Sequence, residues 1–292
     1  MDSRFRVPNV VHLVKTDDLP VKRFLFLNIL SILHNLNPET LYLHVSNAPR
    51  GFFWNLTLAF DVKQRIVVAP IKPHMLRLEG MAKMPVFRED WAAAHKSDII
   101  RMNILKSSGG IYLDTDILVL QSFDDLRKVD FTMGLQTQPP AEIKVCNGVM
   151  LANPQSKFLG DWYSGLYNAS FSSCWDCHSI ELPSRLWEER RNKNVQESLQ
   201  VLPVESFFDP SFSRADLHLL FGDRTTTKGP SVSPPYPGKH AVHLWNRVSV
   251  ASGYLSRHRI EGICGGSSMY NEMLRFALNG TAFLTKLCGQ EF

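Results

Sequence analysis

No stretch of this sequence is long and apolar enough to cross a bilayer, which takes about 18 consecutive apolar residues. The longest candidate, Phe24 to Leu33, is broken by Asn28 and Ser31. The opening Met1-Asp2-Ser3-Arg4 lacks the basic-then-apolar order of a secretory leader. Charge of one sign is also scarce. The 32 Lys and Arg against 28 Asp and Glu leave a net charge of +4, and the basic residues are scattered, so a nucleic-acid partner is excluded. There is no Gly-x-x-x-x-Gly-Lys-Ser/Thr loop and no Gly-x-Gly-x-x-Gly turn after the first strand, which argues against P-loop and dinucleotide enzymes. No Gly-x-Ser-x-Gly elbow and no His-Glu-x-x-His helix is present. Cysteine is sparse: five residues, with one Cys-x-x-Cys (Cys174, Cys177) and no second pair to complete a zinc site. A disulfide, local or long-range, suits them better than metal or redox chemistry, and the odd count leaves at least one thiol over.

What is present is ordinary globular composition, 44% apolar and 21% charged over 292 residues, enough for a large core. The most informative stretch is Gly109-Gly110-Ile111-Tyr112-Leu113-Asp114-Thr115-Asp116. It reads as a tight glycine turn, a short buried strand, and two carboxylates where the strand ends. Strand alternation predicts that Asp114 and Asp116 share a side, roughly 7 Å apart at about 3.3 Å per residue. Two hard oxygen donors there suit Mg²⁺ or Mn²⁺, whose remaining positions are filled by water and by substrate phosphates. An isolated Asp-x-Asp is usually a solvated turn; the Gly-Gly and apolar triplet before it strengthen the metal reading.

The periodicities predict an α/β fold, a mostly parallel central sheet flanked by helices, in a single domain over 1–292. Val7–Lys15 reads as a buried first strand. A helix follows from Val21 to Leu36 and stops at Asn37-Pro38. Strands are predicted at Thr40–Ser46, Arg65–Ala69, Phe131–Gln136, Gly148–Ala152 and Ala241–Trp245. Helices are predicted at Glu89–Lys106, Gln155–Tyr167, Ser184–Glu197 and, last, Ser268–Leu278. Gly222–Gly238, rich in Pro, Thr, Ser and Gly, is a mobile active-site loop or an insertion.

Asp98 and Arg101, three apart on a helix, form either a surface ion pair or a pair facing the nucleotide. His95 is by default a satisfied helix histidine. Asn147-Gly148 is a turn or a pocket-lining amide. His243 and Trp245, on one side of a late strand, are core residues, or a third metal ligand or phosphate donor with an aromatic lid. Three glycosylation sequons, at Asn55, Asn168 and Asn279, hint softly at a secretory lumen.

The run Ala94 to Arg101 (AHKSDIIR) followed by ILKSSGGIYLDTDILVL from Ile104 to Leu120 resembles the core signature of glycosyltransferase family 32. Val7–Val14, Cys146–Leu151, Val204–Pro210 and Ala241–Asn246 resemble further motifs of that family in order, the last two closest to its animal α-1,4 members. The resemblance implies a GT-A fold, with a nucleotide-binding half in 1–120 and an acceptor-binding half in 121–292. It implies a retaining transferase that uses Mn²⁺ or Mg²⁺ to move a hexose from UDP-Gal or UDP-GlcNAc to a glycan or glycolipid. GDP-mannose transfer and a catalytically silent sugar-binding protein are the alternatives. Asp116, Asp114 and Arg101 would be catalytic. Val14, Lys15, Asp98, Arg101, Asp114, Asn147 and Gly148 would bind the donor, and Asp114, Asp116 and His243 the metal. The family also implies a glycoprotein of the Golgi lumen, membrane-associated only through an anchor that this sequence does not contain.

Overall fold

A computed structural model describes residues 4–79, 92–166, 174–193, 195, 198–223 and 236–289. The start of the helix predicted from Glu89, the Asn168 sequon and most of the Gly222–Gly238 loop lie outside these residues.

The chain opens with a βαβ unit: β1 (Val10–Lys15), α1 (Arg23–Asn35) and β2 (Thr40–Val45). A second helix, α2 (Phe52–Phe60), leads to β3 (Ile66–Pro70), and α3 (Ala92–Ser108) delivers the chain to β4 (Gly110–Leu113). There follow β5 (Ile117–Val119), β6 (Phe131–Thr137), β7 (Lys144–Ala152), α4 (Lys157–Gly165), α5 (Leu182–Asn192), β8 (Leu199–Leu202) and α6 (Arg214–Phe221). The described chain finishes with β9 (Ala241–His243), α7 (Ser249–Arg257), the short α8 (Gly262–Gly265), α9 (Met269–Ala277) and α10 (Ala282–Cys288).

Among the described residues seven strands form one sheet in the order β3-β2-β1-β4-β7-β6-β8. β7 alone runs against its neighbours β4 and β6; the other pairings are parallel. β5 and β9 pair separately, antiparallel, with Ile117 opposite His243. The continuous apolar runs are explained by burial on both faces. In β1, Val11 and Leu13 join one core cluster and Val14 the other; in β4, Ile111 and Leu113 face one way and Tyr112 the other. Helix α1 fills the first cluster and α3 the second. No helix among the described residues is long and apolar enough to cross a membrane.

Two glycines make the entry to β4 possible. Gly109 (φ +65°) and Gly110 (φ +108°) sit in the left-handed region, and a Cβ on them would lie 2.6 Å from the carbonyl oxygens of Ala152 and Val10 respectively.

Four predicted boundaries are corrected. The strand after Gly-Gly ends at Leu113, so Asp114 and Asp116 lie in a turn and not on a continuing strand. Ser268–Leu278 is not the last helix, since α10 follows, capped by Thr281. Ser184–Glu197 begins earlier and stops at Asn192. Ala241–Trp245 ends at His243, because Trp245 turns out of the strand at φ +53°. The cysteines form one local and one longer disulfide, Cys174–Cys177 and Cys264–Cys288, and leave Cys146 free and buried.

Candidate active site

Where β4 stops, the backbone turns instead of continuing. Asp114 N–H donates to the Gly148 carbonyl (2.8 Å), and Ile117 N–H closes the turn onto the Asp114 carbonyl (3.1 Å). Helix α1 holds the turn from below. The Asn28 amide, which interrupts the apolar face of that helix, donates to the Thr115 carbonyl at 3.0 Å, and Ser31 Oγ accepts the Val119 N–H at 3.1 Å. The same-side placement of the two aspartates therefore comes from the turn and its anchors, and strand alternation has no part in it.

The turn delivers Asp116 to the end of β9. Leu244 N–H donates to the Asp116 carbonyl (2.9 Å), and Asn246 N–H donates to its Oδ2 (2.7 Å). His243 Nε2 lies 3.2 Å from Asp116 Oδ1. Burial alone would raise the Asp116 carboxyl, but His243 and the Asn246 N–H outweigh it and hold it below its ordinary value. The same pairing overcomes burial at His243 and raises its pKa. Trp245 packs on His243 with ring centroids 4.0 Å apart, and its indole N–H is anchored on the Pro210 carbonyl at 2.9 Å. Phe208 closes the same wall.

Asp114 is fixed from the α3 side. Arg101 Nη1 lies 3.1 Å from its Oδ1, and the Tyr112 hydroxyl donates to that oxygen at 2.8 Å. Arg101 also donates to the Asn147 carbonyl (2.8 Å) and to Ser97 Oγ (3.1 Å), and its Nη2 is 3.4 Å from Asp98 Oδ1. The Asn147 amide donates to that same Asp98 oxygen at 2.8 Å. Asp98 and Arg101 are thus buried at 6% and 5% exposure, which removes the surface-pair alternative. Burial pushes the Asp98 carboxyl up; at Arg101 burial opposes the charge, and Asp114, Tyr112 and Asp98 more than offset it. Gly148 permits close approach, since a Cβ there would lie 3.2 Å from Asp114 Oδ2. That oxygen has no hydrogen bond among the described residues and is the group the turn leaves available.

Oxygen and nitrogen atoms of Asp114, Asp116 and His243 lie within 4.8 Å of one another. Ligands opposite each other on an ion at about 2.1 Å are about 4.2 Å apart, so small adjustments bring all three to one divalent cation. The donor set suits a hard divalent cation. Two carboxylates, Asp98 and Asp114, share one guanidinium, Asp116 pairs with His243, and among the described residues His243 Nδ1 is buried without a hydrogen-bond partner.

Other predicted donor contacts lie elsewhere. Val14 is packed in the core cluster beneath α3. Lys15 Nζ is committed to the Asp17 carbonyl, Asp17 Oδ1 and the Leu19 carbonyl, at 3.0, 2.7 and 2.6 Å, which fixes the loop between β1 and α1. No hydrogen bond or ion pair among the described residues joins either to the aspartates. Sequence reasoning missed Tyr112, Asn28 and Asn246. A lone amide inside an apolar helix and a hydroxyl two residues before the first aspartate were the available signals.

Residues 29–132 match the family described as glycosyltransferase sugar-binding region containing DXD motif. "Glucan organizing enzyme 1" of Cryptococcus neoformans is 29% identical over 286 residues, 92% of this chain and 70% of its own length. An uncharacterized protein of Arabidopsis thaliana is 26% identical over 204 residues, 64% of this chain and 31% of its own length. Among solved structures, the galactosyltransferase LgtC with donor and acceptor sugar analogues matches 87% of this chain and 98% of its own at 13% identity and a TM-score of 0.38. The PaToxG glycosyltransferase matches 63% and 70% at 14% identity and a TM-score of 0.42. The Asp-Thr-Asp turn lies inside the matched region, so the chain is similar to the glycosyltransferase sugar-binding region at the segment that carries the DXD motif.

Proposed function

We propose that this chain is a divalent-metal-dependent hexosyltransferase that takes a nucleotide-sugar donor and a glycan or glycolipid hydroxyl as acceptor. The observation that carries the reading is the convergence of Asp114, Asp116 and His243 where β4 ends. A bound Mn²⁺ or Mg²⁺ supplies Lewis acidity for the diphosphate as the glycosidic bond breaks.

The protein's own residues do the positioning. Arg101 and the Tyr112 hydroxyl hold Asp114 by Oδ1, so that Oδ2 faces outward to the donor or cation. Asn246 N–H and His243 orient Asp116. Arg101, with both terminal nitrogens engaged, acts as a positioning residue for Asp114, Asp98 and Asn147. Trp245 and Phe208 shield the His243 side from water, which strengthens every charge interaction inside. The aspartates come from the half that would bind nucleotide, 1–120, and His243 from the half that would bind acceptor, 121–292. UDP-Gal or UDP-GlcNAc as donor, with retention at the anomeric carbon, completes the proposal. GDP-mannose is the second donor to try, and the name of the fungal relative adds glucans to the acceptors.

The test is donor hydrolysis and transfer over a panel of UDP- and GDP-sugars with Mn²⁺, Mg²⁺ or EDTA. Metal-dependent release of one nucleotide is expected, with the product's anomeric proton signal matching the donor's. Release that is equal in EDTA, or no release from any donor, refutes the proposal.

A further inference from the structure

The Cys174-Trp175-Asp176-Cys177 turn has no part in the chemistry above, yet it sits against the site. The disulfide closes a ring of four residues, which removes most of the freedom such a turn would otherwise have. The residue it presents is Trp175, 39% exposed. The contrast with Trp162 is informative: that indole is wholly buried and donates to the His178 carbonyl. Trp175 is tied down without being taken into the core.

Its neighbours place it between the two halves of the carboxylate cluster. The His95 ring meets it edge-on, centroids 6.0 Å apart, and His95 Nδ1 lies 3.9 Å from Asp98 Oδ2. From the other side the Arg247 guanidinium covers the indole at 4.8 Å, and Arg247 directly follows Asn246, whose N–H binds Asp116. Among the described residues Arg247 has no carboxylate partner, so its charge is spent on the indole and on whatever enters beside it.

We propose that Trp175 is a stacking platform for a pyranose ring at the mouth of the aspartate site, set in place by the Cys174–Cys177 turn and by Arg247. A pyranose has one face of C–H groups whose partial positive charge suits the negative face of an indole, while its hydroxyls stay free for Arg247 and water. An exposed, immobilised aromatic group beside buried charges fits this chemistry better than a core role does. The ring can be the donor's hexose or the acceptor's; the experiment separates them. The assignment to a transfer reaction rests on the proposed function, whereas the stacking itself does not.

The first arm needs neither donor nor metal. Tryptophan fluorescence is titrated with methyl β-glucopyranoside, methyl β-galactopyranoside and methyl α-mannopyranoside. A saturable change is expected in the wild type and is lost in Trp175→Phe, in which the other five tryptophans remain. The second arm uses the donor identified by the hydrolysis panel. Trp175→Ala raises one KM on the order of tenfold, with a smaller change in kcat, and Trp175→Phe recovers most of it. A rise in the acceptor KM assigns the platform to the acceptor, and a rise in the donor KM assigns it to the donor. Cys174→Ser moves the same KM in the same direction. If no donor is processed, the proposed function fails and the fluorescence arm decides the platform alone. If the fluorescence change survives in Trp175→Phe, or both KM values stay put in Trp175→Ala, the inference is wrong.

Discussion

Replacing Arg101 by lysine keeps the charge and removes the fork. In the structure the guanidinium spreads five contacts over three nitrogens: Nη1 to Asp114 and the Asn147 carbonyl, Nη2 to Asp98 and Ser97 Oγ, and Nε to the Ser97 carbonyl. A lysine ammonium is a point charge with three donors on a shorter reach, so it satisfies one carboxylate and abandons the other. Both carboxylates are mostly enclosed, with side-chain exposures of 9% and 26%. Leaving one of them without its cationic partner costs about 3 kcal/mol. For a chain of 292 residues that corresponds to a melting temperature lower by roughly 5 °C. If the loss also falls on the geometry of Asp114, kcat/KM drops about 100-fold. Arg50→Lys is the control, because the Arg50–Asp18 pair is 55% and 64% exposed and is worth about 0–1 kcal/mol. The assays are thermal denaturation without metal and nucleotide release with the best donor. Arg101→Lys that melts and turns over like Arg50→Lys would overturn the assignment of Arg101 as the clamp of the two aspartates.

Three further outcomes can be measured. Asp116→Asn keeps an acceptor for the Asn246 N–H, so the metal-free protein melts within a few degrees of wild type; the upward thermal shift with Mn²⁺ disappears, and an undiminished shift contradicts the metal assignment. Asn28→Ala costs about 1 kcal/mol for its bond to Thr115 and weakens Mn²⁺ binding measured by calorimetry, although residue 28 touches no ligand; unchanged affinity would show that the turn holds itself. Burial, with His44 adding to it at His12, lowers the pKa of His12 to about 3 and that of His44, by burial, to about 4, so both are neutral when folded. Their stabilisation is complete above the unfolded value of about 6.5 and is lost as pH falls below it, at about 1.4 kcal/mol per unit for each. Urea melts at pH 7.5 and 5 should differ by about 4 kcal/mol from this pair, and a flat profile to pH 5 would refute it.

Much of the architecture was legible because it rests on local patterns. The apolar run of β1 and the spacing of Phe24, Leu25, Ile29, Ile32 and Leu33 report burial directly, and Asn37-Pro38 marks where α1 must stop. Helix α2 escaped notice because Phe52–Phe60 is apolar nearly throughout and shows no polar face from which to read a period. Helices α6 and α10 are short and depend on single caps, Ser213 and Thr281. At the site, residue types and spacing named Asp114, Asp116, Asp98, Arg101, Asn147 and His243. Spacing could not tell whether Asp98 and Arg101 face water, since that depends on β7 and its Asn147 lying over them. Lys15 shows the opposite limit. The resemblance gives Lys15 a place at the donor, and the sequence does not show that its ammonium donates to Asp17 and Leu19, two and four residues on.

Helix α1 carries three polar groups on one face, Asn28, Ser31 and Asn35, and the last donates to the carbonyls of Val119 and Ala277. Each reaches more than eighty residues along the chain. The motif is written in residues 114–116, but its shape is lent by a helix made long before it. A peptide containing the two aspartates and their strand would hold the letters of the site without its geometry. The proposed grip on a cation would therefore be a property of the assembled layers, and it should appear and vanish together with the packing of α1 on β5.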